Sequence, residues 1–82
     1  MTIEQLKCIH RARPFQAFTL YLADGRELHV PHNDFLLIRN NDSVTVHLGD
    51  DDLEIVALKE ITRIELDGGA TVLSEDAEEQ QQ

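Results

Sequence analysis

The sequence predicts a mainly β domain in which one N-terminal helix is followed by five or six short antiparallel strands that form a small barrel. Three observations predict this fold class. Alternating apolar residues run through residues 18–30 on both sides of Asp24-Gly25, which is a strong signal for a tight β-hairpin. A helix-capping pattern lies near the N-terminus, ahead of Pro14. Further apolar runs follow at short intervals, each bounded by turn-forming residues.

The N-terminal helix is predicted from its cap and its end. Thr2 and Gln5 have the spacing of a capping box, in which each side chain bonds the other residue's backbone N–H. The helix is expected to run from Ile3 to about Ala12 and to end before Pro14. A helix of this length is marginal alone, so its apolar stripe must pack on the rest of the domain. That stripe consists of Ile3, Leu6 and Ile9.

Alternation assigns inward and outward positions in the strands. In the first hairpin the predicted core residues are Phe18, Leu20, Leu22, Leu28 and Val30. Pro31 interrupts the pattern, and the following run Phe35–Ile38 is apolar on both faces. This run is expected to be either the most buried strand or a strand whose outer face contacts a partner.

A second hairpin is predicted from Val44 to Ala57, with its turn at residues 49–52. Its predicted inward residues are Val44, Val46, Leu48, Leu53, Ile55 and Ala57. Val56 is therefore expected to face outward. One turn of 3₁₀ helix at residues 58–60 then leads into a closing strand around residues 61–66.

The chain of 82 residues has room for one small domain. The periodic apolar pattern stops at Leu66, so we assign residues 1–66 to the domain and residues 67–82 to an acidic, glutamine-rich, disordered tail, to which residues 70–74 can add a short strand. Residues 1–66 contain 11 acidic and 7 basic residues, and the tail contains 5 acidic and no basic residues. This negative charge disfavours a phosphate backbone as partner over most of the surface.

The single cysteine and the hydropathy pattern bear on the compartment. Cys8 has no partner for an intramolecular disulfide, which is typical of a reducing compartment. No apolar stretch reaches the ~20 residues of a membrane span, and the N-terminus has no signal-peptide apolar region. The sequence therefore predicts a cytoplasmic protein without a membrane partner. Cys8 is expected to be a half-buried structural residue of the helix and not a nucleophile.

The order of helix, hairpin, long bent strand, hairpin, single-turn connector and closing strand resembles Sm-like small barrels. The segments MTIEQLK, RARPFQAFTLYLADGREL, FLLI and EITRIEL are also similar to a group of short uncharacterised bacterial proteins of this general type, in which a helix precedes a basic-proline-phenylalanine element. The resemblance covers residues 1–66. It implies an Sm-like, Src-homology-3-type barrel and carries no catalytic fingerprint.

The same resemblance bears on RNA binding. Sm-like RNA-binding proteins carry a histidine, asparagine or aspartate in the loop after the second strand, and His32-Asn33-Asp34 lies near that position. Between their last two strands they typically present an arginine-glycine or lysine-histidine pair, whereas this chain has Leu58-Lys59-Glu60. A local basic patch near the N-terminus adds candidate anion or RNA contacts: Lys7, Arg11 and Arg13.

Two groups of residues have the composition of metal sites. The acidic loop at residues 49–52, with Glu54, offers carboxylates to a hard cation, but the calcium-loop spacing is absent. Three histidines would offer imidazoles to zinc if the fold brought them together: His29, His32 and His47. We interpret the loop as a solvated turn and the histidines as scattered polar positions. Because nucleophile-elbow and phosphate-binding glycine patterns are absent too, the sequence predicts a non-enzymatic protein without a cofactor.

Self-association has the strongest physical motive, since a domain of ~66 residues has a slim stability margin that oligomerisation increases. The candidate interface positions are Tyr21, Leu37 and Val56. In the alternative interpretation, the helix covers the second apolar face of Phe35–Ile38. The sequence thus predicts a homo-oligomeric binding or scaffolding module, with another protein as a further candidate partner and an Sm-like RNA-binding ring as the alternative.

Overall fold

One helix and seven strands form the described part of the chain, which comprises residues 1–49 and 51–74 of the computed structural model. Helix α1 spans Ile3–His10, and two short 3₁₀ helices span Asn33–Phe35 and Leu58–Glu60. The strands are β1 Phe18–Leu22, β2 Glu27–Val30, β3 Leu36–Ile38, β4 Ser43–His47, β5 Leu53–Ala57, β6 Ile61–Leu66 and β7 Thr71–Leu73. The predicted mainly β fold with an N-terminal helix is confirmed.

The strands form two antiparallel sheets in place of the predicted closed barrel. The four-stranded sheet has the order β2-β1-β6-β7, and the three-stranded sheet has the order β3-β4-β5. Within the described residues, hydrogen-bonded strand pairing does not join the two sheets. The physical reason lies between β2 and β3, where Pro31 and the 3₁₀ helix Asn33–Phe35 divide the long bent strand that the sequence predicts.

The predicted hairpin at Asp24-Gly25 joins β1 to β2. Its loop has three residues, because the Leu22 N–H donates to the Arg26 carbonyl at 2.9 Å and the Gly25 N–H donates to the Leu22 carbonyl at 3.0 Å. Gly25 has a φ of 95°, in the left-handed region where glycine lacks the steric penalty of a Cβ. This is a β-turn followed by a left-handed glycine, a common way to close a short hairpin.

The same loop construction recurs between β6 and β7. The Leu66 N–H donates to the Ala70 carbonyl and the Gly69 N–H donates to the Leu66 carbonyl, both at 2.8 Å, and Gly69 has a φ of 106°. Strand β7 then pairs with β6, with Val72 opposite Ile64. The short strand that the sequence allows at residues 70–74 is therefore present, as β7. The acidic end of the predicted tail, residues 75–82, lies outside the described residues.

Helix α1 forms from the predicted capping box. The Thr2 hydroxyl accepts from the Gln5 N–H, and the Gln5 side-chain oxygen accepts from the Thr2 N–H, both at 3.1 Å. The helix ends at His10, two residues before the predicted end, with Arg11 as its C-cap. Ile3 and Leu6 are buried and Ile9 packs at the edge of the core, so the predicted stripe docks the helix on the sheets.

The core lies between the two sheets and α1. All five core residues predicted for the first hairpin are buried, as are Val44 and Val46 of β4. The structure also decides between the two alternatives for Phe35–Ile38, a most-buried strand or a strand with an open outer face. Leu36 is fully buried, but Leu37 is 53% exposed and β3 is an edge strand. This segment is therefore not the most buried strand, and its outer face is open.

Strand β5 faces the opposite way from the sequence prediction. Val56 is only 3% exposed, whereas Leu53 and Ile55 are 61% and 60% exposed. The predicted outward position of Val56 is therefore wrong. In the observed register Val56 lies opposite the core residue Val44 of β4, and a shift of one residue would move every side chain to the other face.

An ion pair accompanies this orientation of β5. Glu54 lies on the same side of the strand as Val56, where the guanidinium of Arg26 meets its carboxylate at 2.5 Å. The pairing supplies the opposite charge that a half-buried carboxylate needs. Leu48, predicted to face inward, is exposed because β4 ends at His47 and alternation no longer applies.

Candidate functional site

The outer surface of the three-stranded sheet has an unusual composition for this acidic chain. Strand register aligns Leu37 with Thr45 and Ile55, and aligns His47 with Leu53. At one end of the sheet the ring of Phe35 lies 6.5 Å from that of His47. At the other end the Arg39 backbone N–H donates to the Ser43 carbonyl, so the cross-strand alignment extends to these residues. We call this surface the apolar face; it comprises Phe35, Leu37, Arg39, Ser43, Thr45, His47, Leu53, Ile55 and Ala57. None of these nine side chains is acidic.

Three large aliphatic side chains dominate the apolar face. Leu37, Leu53 and Ile55 are each more than half exposed. Exposed aliphatic residues that cluster are uncommon on a monomeric protein and indicate an interaction surface. Leu48, which is also exposed, follows β4 directly and lies beside the same sheet.

The three predicted interface residues have different surroundings. Leu37 lies on the apolar face, where the sequence predicts an exposed contact residue. Val56 is buried beneath that face and contacts the core of its own chain, so it does not contribute to the surface. Tyr21 lies on the other sheet. The structure therefore does not bring the three together.

Tyr21 makes its contacts within the chain, on the outer surface of the four-stranded sheet. Its hydroxyl donates to the Glu65 carboxylate at 3.0 Å, and the Arg63 guanidinium carbon lies 3.9 Å from the centre of its ring. Arg63 also donates to Glu65 at 3.2 Å. The hydrogen bond to Glu65 raises the pKa of Tyr21, because the bond requires the protonated phenol.

Leu53 and Ile55 are the site residues that the sequence did not reveal. In the segment LEIVAL every position except Glu54 is apolar, so alternation defines two equally plausible inward sets. Placing the acidic residue outside is the ordinary choice. The choice fails here because Arg26, distant in sequence, pairs with Glu54 on the inner side.

The basic residues near the N-terminus form a second surface. Lys7, His10 and Arg11 lie three and four residues apart and so share one side of the helix and its C-cap. The His10 ring nitrogen Nε2 lies 2.7 Å from the Asn33 carbonyl oxygen, which brings this surface next to the predicted contact residues His32 and Asn33. Among the described residues, Lys7, Arg11 and Arg13 have no side-chain hydrogen bond or ion pair.

An aromatic cluster adjoins this basic surface. The Phe35 ring lies between two imidazoles, with centroid distances of 5.9 Å to His32 and 6.5 Å to His47. An open cavity of ≈ 350 Å³ lies beside it, lined by Asp34, Phe35, His47 and Gly49. Rings with an open flank offer stacking surfaces for planar groups.

The three histidines considered as zinc ligands do not come together. His29 lies 3.6 Å from Asp67 on the four-stranded sheet, apart from His32 and His47, which flank Phe35. Within residues 1–49 and 51–74, no three potential metal ligands come together. The acidic loop at residues 49–52 includes Asp50, which lies outside the described residues.

Cys8 is exposed on the helix, so the predicted half-buried position is wrong. Its side chain lies on the polar side of α1, one residue beyond Lys7, whereas the buried stripe runs through Ile3 and Leu6. The thiol therefore contributes nothing to the core.

Comparison with protein-family models, with curated proteins and with solved structures gives no match to this chain. Among the described residues, none of the helices has the length and apolarity needed to cross a bilayer.

Proposed function

We propose that the protein is a non-enzymatic binding or scaffolding module that self-associates through its three-stranded sheet. The observation that carries the proposal is the alignment of Leu37, Leu53 and Ile55 on a face without an acidic side chain. Burying exposed aliphatic surface gains roughly 25 cal/mol per Å² of apolar area. A second copy of the chain supplies a matching apolar surface, as in the two-fold assemblies that predominate among homo-oligomers.

Electrostatics favour this face over the rest of the surface. The chain carries a formal net charge of −9, so two copies repel each other on average. The apolar face contributes only one formal charge, the positive charge of Arg39. Contact there brings the fewest carboxylates together.

The element order supports an Sm-like interpretation of the fold. A helix precedes the strands, a 3₁₀ turn at Leu58–Glu60 connects β5 to β6, and β6 returns to pair with β1. In this interpretation β2 and β3 correspond to the two halves of one bent strand. Assembly is common among small barrels of this kind, but fold likeness alone does not define a ligand.

The self-association proposal is tested by measuring mass in solution. Wild-type protein is expected to show a mass above one 9.3 kDa subunit by light scattering at micromolar concentration. The double variant Leu53→Lys/Ile55→Lys places two cations on the apolar face and should return the mass to a single subunit. The matched control is Leu73→Lys, since Leu73 is 55% exposed on the other sheet. A single-subunit mass for wild type, or equal dissociation by the control, overturns the proposal.

Single-stranded RNA binding is the second candidate function. The supporting observation is that Lys7, Arg11 and Arg13 lack side-chain partners among the described residues, and that His10, on the same side of the helix as Lys7 and Arg11, contacts Asn33 next to the Phe35 cluster. Proteins that bind single strands combine cations for the phosphates with rings on which bases stack. The basic surface and the Phe35 cluster would supply these two elements.

Fluorescence anisotropy with labelled uridine-rich and adenine-rich oligonucleotides tests this candidate. Binding is expected to weaken steeply with salt, and Lys7→Gln/Arg11→Gln should weaken it further. Lys59→Gln, which removes an exposed lysine from the connector between β5 and β6, serves as the control. Absence of binding by the wild type at low salt eliminates RNA as the ligand.

A further inference from the structure

The two sheets leave four strand edges without a hydrogen-bonded neighbour among the described strands, and these edges differ in how they are protected. β3 and β7 have three residues each, and β2 is followed by Pro31. Short strands, prolines and charged side chains are the usual devices that prevent edge-to-edge pairing. β5 has five residues, LEIVA, and no proline; its one charged residue, Glu54, is paired with Arg26 of its own chain.

The hydrogen-bond phase of the β4–β5 pair determines which backbone groups of β5 stay open. At one end the Leu58 N–H donates to the Asp42 carbonyl at 2.8 Å, and at the other the Leu48 N–H donates to the Asp52 carbonyl at 2.9 Å. Residues of an antiparallel pair alternate between bonding the neighbouring strand and facing away from it. The residues of β5 that face away from β4 are therefore Leu53, Ile55 and Ala57.

We propose that β5 pairs antiparallel with β5 of a second copy, about a two-fold axis at Ile55. This inference rests on the proposed self-association and specifies its geometry. Leu53 and Ala57 then lie opposite Ala57 and Leu53 of the partner subunit, with about six main-chain hydrogen bonds across the axis. The two three-stranded sheets become one six-stranded sheet, in which Leu53 and Ile55 contact the partner subunit and Leu37, two strands away, stays outside the contact.

The side chains suit this register. Ile55 lies opposite Ile55 of the partner subunit, so the most exposed part of the apolar face packs against its own copy. Glu54 lies opposite Val56 of the partner subunit, and so the pairing places no carboxylate directly against another. Ala57, the smallest residue of the strand, lies opposite the larger Leu53.

Pairing of β5 with β6 of a neighbouring copy is not open to this chain. β6 is bonded to β1 on one side and to β7 on the other. A head-to-tail contact with such an edge would build a ring or filament, whereas self-pairing of β5 closes after two copies. The expected assembly is therefore a dimer.

Ile55→Pro tests the edge pairing directly. Proline removes the residue 55 N–H, which faces away from β4, so the β4–β5 ladder is retained and only the intermolecular bonds are lost. Two central bonds disappear by symmetry, and dimer affinity should fall at least about tenfold. The comparison variant is Leu37→Lys, which lies two strands away from the paired edge and should leave the dimer intact. Circular dichroism verifies that both variants fold.

Amide hydrogen exchange gives a second measurement that requires no substitution. On concentrating the wild type from monomer to dimer, the amides of Leu53, Ile55 and Ala57 should gain protection, while the outward amides of β2 should not. A different result would indicate that the apolar faces of two copies stack on each other. In that case the wild type is dimeric, Leu37→Lys dissociates it, Ile55→Pro does not, and the three β5 amides stay unprotected. Edge pairing is then overturned while self-association stands. A monomeric wild type overturns both.

Discussion

The outer surfaces of the two sheets differ in how their outward side chains interact with the rest of the chain. On the four-stranded sheet, Tyr21, Arg63 and Glu65 bond and stack on one another. On the three-stranded sheet, Leu37, Leu53 and Ile55 lie exposed, with no acidic side chain among them. One surface satisfies its polar groups within the chain, and the other presents apolar area that water solvates poorly. The difference identifies the three-stranded sheet as the surface to test for a partner.

The strand edges show the same contrast. β7 covers the outer edge of β6, although it has only three residues and is itself followed closely by Ser74, a buried residue. The comparable edge of β5 has no hydrogen-bonded neighbour among the described strands. The four-stranded sheet thus ends in β7, which has three residues, and in β2, which is followed by Pro31, whereas the three-stranded sheet ends in the five-residue strand β5, which a second copy would extend.

The largest expected effect separates the two sides of β5. Val56→Asp buries an unpaired carboxylate in the core and should lower the free energy of unfolding by at least about 4 kcal/mol. Ile55→Lys changes an exposed position and should alter the monomer's stability by no more than about 0.5 kcal/mol. Urea titration at concentrations where the protein is monomeric measures both. The opposite ranking would show that β5 has the register predicted from sequence, which removes Leu53 and Ile55 from the apolar face.

An intermediate effect is expected at the two hairpin loops. Gly25 and Gly69 both have positive φ and nothing within 4 Å of an added Cβ, so alanine at either position strains only the backbone. Each substitution should destabilise the fold by about 1 kcal/mol. Gly49→Ala is the matched control, because its backbone is not in the left-handed region and its nearest atom lies at 4.0 Å.

The Gly69 result bears on the comparison of edges. If Gly69→Ala leaves the free energy of unfolding unchanged while Gly25→Ala lowers it, the β6–β7 hairpin contributes nothing to stability. The outer edge of β6 would then be open in solution, and the four-stranded sheet would lose the covering that distinguishes it from the three-stranded sheet.

Local signals account for the parts of the fold that the sequence predicts. Thr2 and Gln5 bond each other across one helical turn, and Asp24-Gly25 closes a hairpin between adjacent strands. These features depend on neighbours in sequence, so composition and spacing are sufficient to find them. Asp67-Gly68-Gly69 carries a similar turn signal, and the short strand allowed after it is β7, although three residues are too few for alternation to assign its faces.

Long-range pairing accounts for what the sequence does not predict. The division into two sheets depends on where the chain after Pro31 finds a partner, and the orientation of β5 depends on its register with β4, which buries Val56; the Arg26–Glu54 ion pair accompanies that orientation. Of the candidate site, Leu37 follows from the two-sided apolar run Phe35–Ile38. Leu53 and Ile55 do not, since both faces of β5 are apolar and only the three-dimensional register separates them.

The smallest expected effect concerns the polar surface of the four-stranded sheet. The pKa of Tyr21 is raised chiefly by its hydrogen bond to Glu65. Because the protonated phenol holds this bond, its contribution to stability is complete below the ordinary pKa of about 10 and is lost as the pH rises through the higher folded value. Glu65→Gln replaces a charged group that only accepts by an amide that can also donate to the phenolate, so it should lower the pKa of Tyr21 toward the ordinary value.

Ultraviolet absorbance reports this ionisation without ambiguity, since the chain has one tyrosine and no tryptophan. Glu27→Gln is the control, because Glu27 raises the pKa of Tyr21 only through its charge and should produce a smaller shift in the same direction. If Glu65→Gln leaves the titration unchanged, the bond between Tyr21 and Glu65 does not persist in solution. Tyr21 would then be free to contact a partner, and the contrast between a self-satisfied sheet and an open one would no longer hold.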